Sequence, residues 1–146
     1  MSIEGIYDDA NIFAKIVRGE APAVKVHETE SVIAFMDIFP QSTGHVLVIP
    51  KAGAARNIFD IEPAALSDLM HVVQRVAKAA RAALQPDGVI VLQANGQAAG
   101  QTVYHLHFHV IPCWAGQPLK GHGHGEMAAI DDLRKLAETI AASLED

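Results

Sequence analysis

The stretch Tyr104-His105-Leu106-His107-Phe108-His109-Val110-Ile111 alternates imidazole and apolar side chains, and it constrains the fold more than any other part of the chain. Successive side chains of a strand point to opposite faces. As a strand, the stretch sets His105, His107 and His109 in a row about 6.5 to 7 Å apart, with Leu106, Phe108 and Val110 packed on the other face. A single histidine in a strand is usually a satisfied, half-buried residue. Three in strict alternation bring many polar nitrogens to satisfy for no structural gain. The pattern therefore predicts a functional face able to bind anions, attack phosphorus or hold a metal.

Composition narrows the class. The chain has 146 residues, 50% of them hydrophobic and 19% charged, which suits one globular domain spanning 1–146. Eleven basic residues against seventeen acidic leave a formal charge of −6, with no Lys or Arg run to track a polynucleotide backbone. A nucleic-acid polymer is not expected as a partner. The one cysteine, Cys113, rules out an internal disulfide and every Cys-rich zinc pattern. The acidic opening from Met1 to Asp9 lacks an apolar signal core, and nowhere do about 18 apolar residues run together. A cytoplasmic address with no membrane partner is the expectation.

The coarse order of elements follows from periodicity. Asn11 caps a short helix with Ile12, Phe13, Ile16 and Val17 on one face and Gly19 beyond its end. Val24–His27 and Ser31–Met36 read as a hairpin turning at Glu28-Thr29-Glu30, and Gly44–Ile49 as a buried strand stopped by Pro50. Pro63 opens a long helix carrying Leu66, Leu69, Met70, Val73, Val76, Ala80 and Leu84 until Pro86-Asp87-Gly88. Val89–Gln93 and the histidine stretch supply two more strands, and a last helix carries Ile130, Leu133, Leu136, Ile140 and Leu144. Strands joined by short turns, with helices grouped apart, predict an α+β fold with a five-stranded antiparallel sheet.

His107 has a histidine on either side, so an anion at the middle ring can be met by both neighbours. A neutral imidazole attacks through one nitrogen while the other donates its proton and fixes the tautomer, which makes His107 the candidate nucleophile toward phosphorus. The resulting phosphoryl-imidazole is labile to water. His109, Gln101 and backbone N–H groups of the loop Ala94–Thr102 are candidate donors to the nonbridging oxygens. Gly96 and Gly100 allow that loop a close approach to a ligand, a weak phosphate signature on spacing alone. His122 and His124 stand between glycines, which favours a solvated loop over a preorganised metal site.

The sequence His105-Leu106-His107-Phe108-His109-Val110-Ile111 resembles the signature of the histidine triad (HIT) family. Ile12–Glu20, Ala34–Ile38 with Pro40-Gln41, Gly44–Lys51 and Gly100–Tyr104 resemble the family's other blocks in the same order, so the likeness covers roughly residues 10 to 112. The segment from Cys113 to Asp146 stands beyond it as an extension. The nearest branch looks like the Hint type. The resemblance implies a HIT-like fold, usually a homodimer, that binds purine nucleotides and hydrolyses them at the α-phosphate without a cofactor. An adenosine phosphoramidate or related nucleotidyl conjugate would be the substrate.

Carried over residue by residue, the resemblance makes His107 the nucleophile that forms a nucleotidyl-histidine. His109 becomes a phosphate and leaving-group contact, His105 a support, and His45 a fourth histidine behind the triad. It gives Asp37 to the ribose hydroxyls, Ile12, Phe13, Ile16, Phe35 and Ile38 to the base pocket, and Asn95, Gly100, Gln101 and Thr102 to the phosphate loop. Read without the resemblance, isolated apolar residues are usually just core, and Asp37, before Ile38-Phe39-Pro40, could equally be a turn residue. Two cysteines that hold zinc in some bacterial members are replaced here by Asn11 and Ala14. The third triad position is His109, where the nucleotidyl-transferase branch has glutamine, which favours hydrolysis over transfer. Two other readings stand beside this one: a metal enzyme with His105 and His107 as zinc ligands completed by His45 or His109, and a nucleotide-sensing or scaffold protein with vestigial turnover.

Overall fold

The computed structural model describes residues 3–121 and 126–145, so His122 and His124 lie outside the described residues. Five strands, β1 (Lys25–Glu28), β2 (Val32–Met36), β3 (Val46–Pro50), β4 (Gly88–Leu92) and β5 (Phe108–Cys113), form one sheet in the order β1-β2-β3-β5-β4. Every neighbouring pair is antiparallel, as expected. Three helices accompany it: α1 (Ile12–Val17), α2 (Pro63–Leu84) and α3 (Ile130–Ala141). Among the described residues, no helix is long and apolar enough to cross a membrane.

Strand alternation sorts the side chains to two cores. Val32, Ala34 and Met36 of β2, Val46 and Val48 of β3, and Phe108 and Val110 of β5 face α2 and α3, where they meet Leu69, Val72, Val73, Val76, Leu133 and Ile140. Ile33, Phe35, Leu47 and Ile49 point the other way and form a smaller cluster with Phe13 and Ile16 of α1. Such a strand is buried on both faces, which is why β2 and β3 read as unbroken apolar runs.

α2 begins with Pro63 in its first turn, where a missing N–H costs nothing, and ends at Gln85 in the left-handed conformation (φ 48°). Pro86 follows directly, and a residue before proline is pushed out of the right-handed helical region. α1 has only six residues and could not persist alone. Its N-cap Asn11 accepts the Ala14 N–H at 2.9 Å, and burial of Phe13, Ala14 and Ile16 holds it to the sheet. Burying one large apolar side chain contributes roughly 1.5 to 3 kcal/mol, so Phe13 and Ile16 together outweigh the cap.

Several boundaries differ from the sequence reading by one or two residues: β1 takes in Glu28 of the expected turn, β2 starts at Val32, β3 starts at Val46, and β4 is Gly88–Leu92. β3 runs through Pro50 instead of stopping before it, and β5 passes through Pro112 to Cys113. The histidine stretch is the larger correction: only residues from Phe108 onward are strand, so His105 and His107 lie on the approach to it. Pairing lapses on both sides at that point. Val48 opposite Phe108 is the last pair with β3, and Leu92 opposite His109 is the last with β4.

Candidate functional site

His45 stands immediately before β3, and Leu47, on the α1-side face of that strand, lies opposite both Phe35 of β2 and His109 of β5. This row floors a cavity of about 400 Å³ between the sheet, α1 and the loop before β5. Ile12, Phe13, Ile16, Phe35, Asp37, Ile38, Thr102, His107 and His109 line it, so nine of the residues singled out in the sequence come together. Leu47, Met36, Phe39, Val103, Pro22 and Ala23 complete the wall. Leu47 was legible in principle, because it stands two residues after His45 in what the sequence reads as one strand. Ile12, Ile38 and Phe39 remain 40 to 48% exposed, an apolar rim that suits a flat ring.

All four histidines are buried, and their hydrogen bonds dictate where the protons sit. The Gln41 N–H donates to His45 Nδ1 at 3.0 Å, so the His45 proton is on Nε2, which donates to His109 Nδ1 at 2.9 Å. His109 therefore carries its own proton on Nε2. His107 donates Nδ1–H to the His105 carbonyl at 2.7 Å, which places its lone pair on Nε2. His105 donates Nε2–H to the Pro50 carbonyl at 2.8 Å and receives the Tyr7 hydroxyl on Nδ1 at 2.7 Å. Burial pushes the His105 pKa down, partly offset by the Pro50 carbonyl.

The rings are closer than a regular strand would set them. His107 and His109 lie 5.1 Å apart between centroids, as do His45 and His109. Phe13 meets His107 edge-on at 5.0 Å and Phe35 at 5.5 Å, which fixes the middle ring against α1. Asp37 serves as a turn residue and a cavity residue at once: Oδ1 accepts the Phe39 N–H at 2.8 Å, while Oδ2 lies 3.5 Å from His45 Nε2.

Three loop residues take other places. The Gln101 side chain is buried, donating to the Arg56 and Val103 carbonyls and accepting the Gly96 N–H, so it braces the loop from inside. Asn95 accepts the Ile58 N–H and exchanges hydrogen bonds with Gln93. Gly100 stands at φ 100° at the end of a short 3-10 turn, Gln97–Ala99, a conformation that favours glycine. None of the three lines the cavity. Trp114 and Cys113 line a separate groove near the start of α3.

His105 and His107 do not form a zinc pair in this arrangement, because both His105 nitrogens are held by protein groups. Among the described residues, a cation would instead find Asp37, His45 and His109, whose ligand atoms lie within 4.8 Å of one another. It would have to break the His45–His109 hydrogen bond to bind there.

An antiparallel sheet with four linked, buried histidines in β5 and at the approaches to β3 and β5, two of them lining an apolar cavity, defines a histidine-centred α+β domain. The chain belongs to the HIT family, whose domain model matches residues 18–115. It is 37% identical over 139 residues to an adenosine 5′-monophosphoramidase of Schizosaccharomyces pombe, covering 92% of this chain and 98% of that one. Protein hit of Bacillus subtilis is 36% identical over 140 residues, covering 91% and 93%. Among solved structures, a Hit-like protein from Bartonella henselae, described as involved in cell-cycle regulation, superposes with a TM-score of 0.90. The two are 46% identical over 96% of this chain and 100% of the other.

Proposed function

We propose that the protein hydrolyses purine nucleotide conjugates at the α-phosphorus, with an adenosine phosphoramidate as the model substrate and a nucleotidyl-histidine as intermediate. The observation that carries this reading is the tautomer of His107: Nδ1–H is given to the His105 carbonyl, so the attacking lone pair is on Nε2 of a residue lining the cavity. In this reading the base sits among Ile12, Phe13, Ile16, Phe35 and Ile38, and Asp37 accepts from the ribose hydroxyls. The similarity to an adenosine 5′-monophosphoramidase supports the choice of substrate.

The steps follow from the proton positions. His107 Nε2 forms a bond to phosphorus as the bond from phosphorus to the leaving nitrogen breaks. Positive charge grows on the His107 ring, and the His105 carbonyl accepting from Nδ1 stabilises it. His109 gives its Nε2 proton to the departing nitrogen, so that it leaves as the neutral amine, and takes a proton back from the attacking water in the second step. Water then cleaves the phosphorus–imidazole bond, releasing the nucleoside monophosphate and restoring the His107 lone pair.

The test is release of AMP from a fluorogenic adenosine phosphoramidate, with chelator present, by the unmodified protein and by His107→Ala. Chelator-resistant turnover that falls by roughly 10³-fold or more in the variant is the expected result. Turnover that survives in His107→Ala would sink the nucleophile assignment, and turnover abolished by chelator alone would restore a metal-dependent reading.

The same reading includes a homodimer. β4 is an edge strand, and Ile90, Val91 and Leu92 on it are 36 to 44% exposed, which suits pairing with a second copy across the open edge.

A further inference from the structure

The segment before α1 lies across the back of the site. The Ile3 carbonyl accepts from Arg56 Nη1 at 2.9 Å and from Asn57 Nδ2 at 3.0 Å, both side chains being buried. Ile3 also lies against Gly96, where an added Cβ would come within 2.9 Å of its side chain. Arg56 in turn accepts from Gln101 through its carbonyl and stacks 4.5 Å above the Tyr104 ring. The strap is thus tied to the strand approach and to the loop before β5. Its end delivers the Tyr7 hydroxyl to His105 Nδ1 at 2.7 Å, with the two rings 5.8 Å apart.

We infer that Tyr7 is a positioning residue for the reaction proposed above: with the Pro50 carbonyl setting the Nε2–H tautomer, the Tyr7 hydroxyl donates to Nδ1 and locks the orientation of the His105 ring, steadying the residue whose carbonyl orients His107. The chemistry is a relay of single-purpose hydrogen bonds. The Pro50 carbonyl can only accept, so it holds the His105 proton on Nε2. His105 Nδ1 must then accept, and Tyr7 is its donor. A ring pinned at both nitrogens cannot rotate, and the His105 carbonyl, on the same residue, keeps its aim at His107 Nδ1. Removing the hydroxyl leaves Nδ1 a buried acceptor without its donor while the Pro50 carbonyl still holds the proton on Nε2, a situation the ring relieves by turning. Phe13, which touches the edges of both His105 and His107, would shift with it. Tyr7 carries no signal in the sequence, because it lies 98 residues from its partner.

The experiment compares the unmodified protein with Tyr7→Phe, which keeps the ring and removes one oxygen. Ring ¹⁵N spectra of His105 read the tautomer directly, and steady-state AMP release from adenosine phosphoramidate reads catalysis. We expect the Nε2–H tautomer in both proteins, a shifted Nδ1 signal in Tyr7→Phe where the hydrogen bond is lost, and kcat lowered about tenfold with KM within twofold. A His105 already protonated on Nδ1 in the unmodified protein overturns the inference without any variant. So does a Tyr7→Phe whose Nδ1 signal shifts while kcat stays untouched, or whose kcat falls with the Nδ1 signal unchanged. If the unmodified protein releases no AMP, the proposed reaction fails by itself, and the positioning role falls with it even where the spectra show the lock.

Discussion

His45 Nε2, from the residue just before β3, donates to Nδ1 of His109 in β5 at 2.9 Å, joining two residues 64 positions apart. That bond does for His109 what the His105 carbonyl does for His107: it decides which nitrogen faces the cavity and in which protonation state. His45 is itself set by the Gln41 N–H, which needs the turn from Asp37 to Gly44 to stay closed. Orientation of the site therefore runs inward from the backbone at two places, and neither supporting group has to touch the substrate.

His45→Ala is expected to lower kcat for AMP release about 10- to 100-fold with KM within a few-fold, because His109 loses its donor and can carry its proton on the wrong nitrogen. His45→Gln, whose amide can still donate to Nδ1, should recover part of the loss. Equal kcat for His45→Ala and the unmodified protein would show that His109 needs no such help.

Gly44 sits at φ 87° beneath Leu84 at the end of α2 and Pro112 of β5, and an added Cβ would collide with the Leu84 side chain. Gly44→Ala combines backbone strain with a clash at a packed junction, each costing about 1 to 3 kcal/mol. Chemical denaturation should show the loss as a lower midpoint. Because His45 follows directly, activity at temperatures well below unfolding should fall too. A midpoint equal to that of the unmodified protein would mean that Leu84 moves aside freely.

Much of this architecture is legible in the amino-acid sequence. The five strands, the three helices and the cap at Asn11 follow from periods of 2 and 3.6 and from local capping chemistry. Nine of the residues named from the sequence do line one cavity. The features that are not legible are decided by long-range pairing. The histidine stretch looks like one strand throughout, yet β3 and β4 both release it before Phe108, and nothing local marks that point. Gln101 and Asn95 have the chemistry of phosphate contacts, but each finds backbone partners in the 56–58 segment, close only in the folded chain. The roles of Pro50 and Tyr7 are likewise tertiary.

If β4 pairs with a second copy, one charge on its outer face should be enough to prevent it. Val91→Lys puts an ammonium where 44% of a valine is now exposed, so the folded monomer loses little while an apolar interface would have to desolvate the charge. Sedimentation at micromolar concentration is expected to give a dimer for the unmodified protein and a monomer for Val91→Lys. A monomer in both would remove the homodimer, and a dimer in both would move the interface away from this edge.

Stability should fall on mild acidification, and His27 is one source. Burial first and the neighbouring Arg75 second push its pKa below the usual value of 6.5, and Arg75 Nη1 lies 3.1 Å from Nε2, so the ring accepts and must stay neutral to do so. The unfolded chain takes up a proton near pH 6.5 that the folded chain resists, so the folded state is at full strength above that pH and loses ground as pH drops through it. His105, also depressed by burial, acts in the same direction. Urea midpoints at pH 7.5 and 5.5 should therefore differ, with the lower value at 5.5. His27→Gln, which offers Arg75 an acceptor without a titrating ring, should shrink the difference without abolishing it, since His105 remains. An unchanged pH dependence in His27→Gln would remove His27 as a source of the effect.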